Sequence, residues 1–246
     1  MKALNKRVSE EIRNIVLEAV REHPEHAFHV TSNLNWHRYE KQIEQVATTL
    51  PHGRILDVGC GLGHTASMLA ACRPDLQIVG VDVADWQSWV KLAKYGPRFL
   101  ICDALALPFR NEFDAVISFG VMEHTGDEDR FLRQVNSVLR AGGNMIIFNL
   151  PNRYALSEAA ARVMNIWHHD RTYTRERIVG LVQGAGFSVV NMKRESLVPA
   201  QVDRISESLS SLFNRYYLQL DRMDSWLTRP PLSIFAENWT IYAGKP

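Results

Sequence analysis

Apolar residues in this chain keep two periods. Short, nearly uncharged runs predict strands buried on both faces. They are Arg54–Val58, Gln77–Asp82, Phe99–Cys102, Phe113–Phe119, Asn144–Leu150, Phe187–Met192 and Trp239–Ala243. Between and around them apolar positions recur every three or four residues, as on one face of a helix. Val8, Ile12, Ile15, Val16, Ala19 and Val20 predict a first helix ending near His23-Pro24, and a second runs on from His29–Tyr39 to Leu50. Further helices are expected over His64–Cys72, Trp86–Tyr95, Asp127–Leu139 and Ser157–His169, and another starts at Thr174 as N-cap and stops at Gly184–Gly186. Arg140–Gly143 reads as the turn into the fifth strand. From Asp203 to Leu227, Ile205, Leu209, Leu212, Phe213, Tyr216, Leu220, Met223 and Leu227 form one continuous stripe at helical spacing.

The organising stretch is Ile55–Gly63, ILDVGCGLG, a strand running into a glycine turn and then a helix. That unit opens a doubly wound α/β domain, whose ligand lies over the turn. Glycine there permits positive φ and lets a ligand approach bare backbone. The dinucleotide fingerprint G-x-G-x-x-G requires glycine at 64, where His64 stands; the spacing is G-x-G-x-G instead. Asp82 ends the second strand about 20 residues past the glycines, where a ribose-binding carboxylate belongs. The third strand leads to Asp103-Ala104, and the fourth to Gly120-Val121-Met122-Glu123-His124.

Taken in order, ILDVGCGLG, VGVD, CDALALPF, FDAVISFGVMEH and LRAGGNMIIFNLP resemble the class I S-adenosylmethionine-dependent methyltransferases. The resemblance covers roughly Trp36–Glu195 and the last strand, and is nearest the small-molecule enzymes of quinone biosynthesis. It implies a Rossmann-like doubly wound sheet of seven strands in the order 3-2-1-4-5-7-6, with strand 7 antiparallel. It implies a single methyltransferase domain over 1–246, with residues 1–50 as an N-terminal helical lid and 197–237 as a helical insertion before the last strand. S-adenosylmethionine is then the cofactor. Gly59, Gly61 and Gly63 accommodate its methionine end, Asp57 helps hold the ammonium through water while the backbone carbonyls near Ser118 and Phe119 accept from it, and Asp82 takes the ribose. Val83 packs on the purine, Asp103 accepts from the adenine amino group, and the Ala104 amide donates to a ring nitrogen. Read without the resemblance, Asp103 is a turn cap.

The sulfonium is its own leaving group, so the protein's task is to position a nucleophile and, for a hydroxyl, to take its proton. His124 is the first candidate base and Glu123 the second; the bland reading of His124 is a loop or helix-end cap. Substrate candidates are Trp36, His37, Asn149, Arg153 and His168, with packing at the sheet edge as the alternative for Trp36, His37 and Tyr39. No metal is expected. Some quinone O-methyltransferases carry an acid four residues before the glutamate, where Phe119 stands here, and adjacent histidines on a helix, such as His168 and His169, point apart.

Composition narrows the partners. The chain of 246 residues is 46% hydrophobic, enough for a full core, and its net charge of +1 gives no global pull toward nucleic acid or anionic lipid. The absence of N-P-P-Y after the fourth strand argues against nucleic-acid amino-methylation. Three cysteines without metal or disulfide spacing fit a reducing, cytoplasmic compartment, and no signal peptide or membrane-spanning run is read. The 203–227 stripe is expected to meet the body, an apolar substrate or a second copy in a homodimer. The expected activity is methyl transfer to a small molecule, most simply to a hydroxyl oxygen, with carbon or nitrogen as alternative acceptors. From other classes come a nicotinamide oxidoreductase, disfavoured by His64 and Asp103-Ala104, and a non-catalytic S-adenosylmethionine binder.

Overall fold

The computed structural model describes residues 3–23, 28–165, 168–199 and 206–246, and says nothing of the side chains of 28 and 29. Its seven strands are β1 Arg54–Val58, β2 Gln77–Asp82, β3 Arg98–Ile101, β4 Phe113–Phe119, β5 Leu139–Pro151, β6 Ser188–Glu195 and β7 Asn238–Gly244. They are ordered β3-β2-β1-β4-β5-β7-β6, as the resemblance implies. β7 runs antiparallel to both β5 and β6. No helix among the described residues is long and apolar enough to cross a membrane.

The chain forms two compact units. The first comprises Met1–Cys102 and Ala200–Asp221. Here β1 pairs β2 in parallel, Asp57 opposite Gly80, and β2 pairs β3, Asp82 opposite Ile101. Helix α1, Lys6–Ala19, starts where the Asn5 side chain accepts from the Arg7 amide, and buries Ile12 and Val16. The expected second helix is two pieces, α2 Phe28–Thr31 and α3 Asn33–Thr49, because Ser32 turns to extended backbone and caps Asn35. Helix α4, His64–Cys72, is buried almost all round, which its run of small and apolar residues permits. The expected Trp86–Tyr95 helix is shorter: α5, Ser88–Leu92, passes into a 3₁₀ turn over Ala93–Tyr95, and Gly96 at φ +116° ends it.

The second unit comprises Asp103–Pro199 and Arg222–Pro246. β4 and β5 are parallel, Ala115 opposite Asn144 through Phe119 opposite Phe148. Helix α6, Glu128–Val138, is capped by Asp127, whose side chain accepts from the Arg130 amide. The expected turn at Arg140–Gly143 lies within β5, because the Gly142 amide donates to Lys245 O and Gly143 O accepts from the Lys245 amide. Helix α7, Leu156–Val163, stops short of His168: Asn165 at φ +52° takes the left-handed conformation that ends helices. Helix α8, Arg175–Gly184, is capped by Thr174 as expected. Asn152, fully buried, donates through Nδ2 to Ile234 O at 2.9 Å and Ala236 O at 2.7 Å, and so fixes the approach to β7.

The 203–227 stripe departs most from expectation. Residues 203–205 lie outside the described residues, and the rest forms two helices, α9 Glu207–Arg215 and α10 Tyr217–Leu227. The break has a visible cause. Asn33 Nδ2 donates to Asn214 O at 3.0 Å, taking the carbonyl that a continuous helix would give to residue 218, while the Asn33 amide donates to Asn214 Oδ1. Burial is also inverted. Leu212, Met223 and Trp226 are exposed, whereas Asp221 and Asp224 are buried. Asp221 accepts from Lys41 Nζ at 2.9 Å on each oxygen, and Asp224 Oδ1 accepts from the Leu197 and Val198 amides.

Candidate active site

In the first unit the site residues gather at the carboxyl ends of β1 and β2. Gly59, Gly61 and Gly63 have φ of +71°, +48° and +80°, values that glycine adopts without strain. They differ in surroundings. A Cβ on Gly61 would meet nothing within 4 Å, whereas one on Gly63 would stand 2.9 Å from the Phe99 ring. Asp82 braces the turn: Oδ2 accepts from the Gly61 amide at 2.8 Å and Oδ1 from the Ala84 amide at 3.0 Å. Each oxygen keeps a lone pair for a further donor. Val83, next along, is 76% exposed.

Asp57 is fully buried. Its Oδ2 accepts from Thr65 Oγ1 at 2.7 Å, while Oδ1 has no hydrogen-bond partner among the described residues. Burial, against the Thr65 bond and helped by the Asp82 charge, raises its carboxyl to about 7. His64, buried at the start of α4, has neither ring nitrogen paired among the described residues, and burial lowers it to about 4. Trp36 stacks on that ring at 5.6 Å and Tyr39 meets it edge-on at 4.9 Å. Trp36 donates to Ser9 Oγ and is 4% exposed, which agrees with the packing alternative. His37 is engaged by Asp221 and Glu40, both at 3.6 Å.

In the second unit Asp103 is exposed and its Oδ1 accepts from the Leu105 amide at 2.8 Å, with Ala104 beside it. Ser118 is buried near the end of β4, and Phe119 stacks on Phe148 at 4.5 Å. Beyond them Met122–His124 forms a 3₁₀ turn. It brings Glu123 and His124 to a cavity of about 330 Å³ lined also by Gly126, His168, His169, Asp170 and Arg171. Glu123 is 6% exposed, burial raises it to about 8, and its Oε2 has no partner among the described residues. The more open His124 is lowered by burial and by His169, against Asp170. His169, which sequence reading did not single out as a site residue, has Nδ1 2.6 Å from Glu158 Oε1. No spacing signal ties 158 to 169 or either to 123; only the end of α7 at Val163 lets the chain return. Asn149 takes φ +59° within β5, and Arg153 is exposed with its amide on Tyr173 O; neither lines the cavity, whereas His168 does.

A model of the methyltransferase domain matches residues 56–147. An O-methyltransferase, cnsE, of Penicillium expansum is 30% identical over 158 residues, 59% of this chain and 56% of that protein. A demethylmenaquinone methyltransferase of Thermus thermophilus is 34% identical over 121 residues, 46% of this chain and 54% of its own. The chain thus spans little more than half the length of these curated relatives. A solved structure described as an S-adenosylmethionine-dependent methyltransferase, possible histamine N-methyltransferase, of Thermotoga maritima superposes with a TM-score of 0.59 at 17% identity. It covers 95% of this chain and 99% of that one, and at this identity speaks for the fold alone. In the matched domain, the sheet order and the glycine turn, this chain is similar to the class I S-adenosylmethionine-dependent methyltransferases.

Proposed function

We propose that the protein transfers a methyl group from S-adenosylmethionine to a hydroxyl oxygen of a small molecule. When bound, the cofactor supplies a methyl group made electrophilic by its sulfonium. The residues fit it. Asp57 Oδ1, buried and unpaired among the described residues, accepts from the ammonium, and the resemblance adds the Ser118 and Phe119 carbonyls. The open side of Gly61 admits the methionine end. The two Asp82 oxygens, already oriented by backbone amides, accept from the ribose hydroxyls, Val83 offers an exposed apolar face to the purine, and Asp103 with Ala104 reads the adenine edge.

The acceptor's proton goes to His124. The observation that carries this is the cavity at the end of β4: it holds His124 beside a buried glutamate, and burial favours the neutral imidazole that can accept a proton. Glu123, buried beside it, stands second in line as base. Loops that end at this cavity supply the acceptor's contacts, with His168 and Arg171 as its polar lining.

Incubation with isotope-labelled cofactor and a small-molecule extract, followed by mass spectrometry, identifies the product. Asp82→Ala is expected to weaken cofactor binding in calorimetry about tenfold or more, through two lost charge-assisted bonds. His124→Ala is expected to leave that binding intact and slow turnover about 10²–10⁴-fold. Unchanged affinity in the first variant, or unchanged turnover in the second, overturns the corresponding role.

A further inference from the structure

We propose that Glu123, His124 and His169 form a binding site for a divalent transition-metal ion of the zinc type. One ligand atom from each lies within 4.8 Å of the others, and all three line the same cavity. Two elements supply them: the 122–124 turn and the segment beyond α7. Glu123 is 6% exposed with Oε2 unpartnered among the described residues, and a buried acceptor in that state costs about 1–3 kcal/mol or more. The other oxygen, Oε1, stands 3.9 Å from His124 Nε2.

Glu158 supplies the second observation. It is 9% exposed, and it grips His169 twice: Oε1 stands 2.6 Å from Nδ1, and Oε2 accepts from the His169 amide at 3.1 Å. A carboxylate on one imidazole nitrogen fixes the ring and the tautomer, and presents the other nitrogen as a more basic ligand. Histidines that bind metal are regularly held this way. Two imidazoles, one carboxylate and an open side toward a cavity make the donor set of a zinc site with a vacant coordination position. Magnesium and calcium, which favour oxygen ligands, suit it poorly. Phe119 does not bear on this set, because the third ligand comes from His169 and not from the turn itself. Ligation and proton acceptance draw on the same His124 imidazole, so they exclude one another and describe the metal-loaded and metal-free protein. Binding of the ion does not rest on the methyl-transfer reading; only its consequence for turnover does.

The 246-residue chain, stripped with a chelator, is titrated with Zn²⁺ by calorimetry and with Co²⁺ by visible absorption. One equivalent is expected, with the intense d–d bands of a low-coordinate Co²⁺ site. Glu158→Gln should weaken Zn²⁺ binding about 10–100-fold, and His169→Ala should abolish the Co²⁺ bands. Calorimetry with S-adenosylmethionine on the same samples should be unchanged. Absence of stoichiometric binding, or wild-type Zn²⁺ affinity in either variant, overturns the site. If His169→Ala fails to fold by circular dichroism, Glu158→Gln alone decides. Zinc binding without cofactor binding would sink the methyl-transfer reading and leave the metal site standing; the reverse would sink the metal site alone.

Discussion

The glycine turn of the first unit and the imidazole–carboxylate cavity of the second are built in opposite ways. The turn is made of contiguous residues, 57–64, plus one carboxylate from the next strand, and its shape is held by backbone amides: the Gly61 amide on Asp82, and the Gly59 and Cys60 amides on Val81 O. The cavity is lined by a 3₁₀ turn, the Gly126 loop and the segment 168–171, with Glu158 of α7 holding His169. The first is a fixed backbone mould. The second is a set of titratable groups whose partners are other side chains or unmet. A cofactor shared across a fold suits the mould, whereas an acceptor that differs between relatives suits groups mounted on loops.

The strongest way to break this contrast lies within the turn itself. Gly63→Ala puts a Cβ 2.9 Å from the Phe99 ring and 3.0 Å from Trp89, two rings stacked at 5.2 Å, and at φ +80°. Left-handed strain plus overpacking is expected to cost about 2–4 kcal/mol in denaturant titration. Gly61→Ala meets nothing within 4 Å, so at φ +48° it should cost only about 1 kcal/mol. Its added methyl points into the open side of the turn, and cofactor affinity should fall about tenfold or more. Both glycines belong to one motif, yet one serves packing and the other the ligand. Wild-type cofactor affinity in Gly61→Ala would remove the turn from the site.

Asp57 gives a smaller and pH-dependent effect. Its folded carboxyl titrates near 7, above the ordinary 3.8, chiefly through burial. The folded state therefore holds a proton that the unfolded chain releases. That contribution to stability is complete below about pH 4 and is lost as pH rises through about 7. Asp57→Asn keeps an acceptor for Thr65 and removes the buried charge. Without cofactor it should melt a few °C above the parent at pH 8 and level with it at pH 4, while binding cofactor more weakly. Equal melting at both pH values would show that the carboxylate is already compensated by the protein, and would remove the reason to expect a cationic partner.

These two regions also differ in how far they could be read from the residues. The glycines, Asp82 and the order of the strands were legible because each is a local requirement: positive φ at fixed spacing, an acid at a strand end, apolar runs of strand length. Glu158 and His169 were not, because their pairing depends on Asn165 ending α7 in a left-handed residue. The 203–227 segment was open for a related reason. Helical periodicity marked its apolar positions as a face to be covered, by the body, a substrate or a second copy. In the structure Asp221 and Asp224 are the buried positions, each held by groups remote in sequence, and Asn33 breaks the helix from 181 residues away. Periodicity records what one helix offers, not which of its faces a distant polar partner will claim.

The smallest effect concerns that distant pairing. His37 on α3 lies 3.6 Å from both Asp221 and Glu40, and hydrogen bonds to Asp221 and then Glu40 raise it to about 9, against burial. Burial opposes ionisation of Asp221, yet the bonds from His37 and Lys41 outweigh it and hold that carboxyl at about 2. Asp221 thus stays charged throughout the range in which the imidazole titrates. Because the folded value of His37 exceeds its ordinary 6.5, the stabilisation is complete below about pH 6.5 and disappears as pH rises through about 9. For a partly buried pair it is worth about 1 kcal/mol. His37→Gln should melt a few °C below the parent at pH 6 and coincide with it at pH 10. Lys41, still bonded to both Asp221 oxygens at 2.9 Å, keeps α10 attached in either case. A difference that persists at pH 10 would mean that His37 acts through its shape. A difference that vanishes would show that α3, whose Trp36 stacks on His64 beside the glycine turn, is tied to α10 by charge. In that case even the region most legible from local sequence is steadied by a contact no local pattern records.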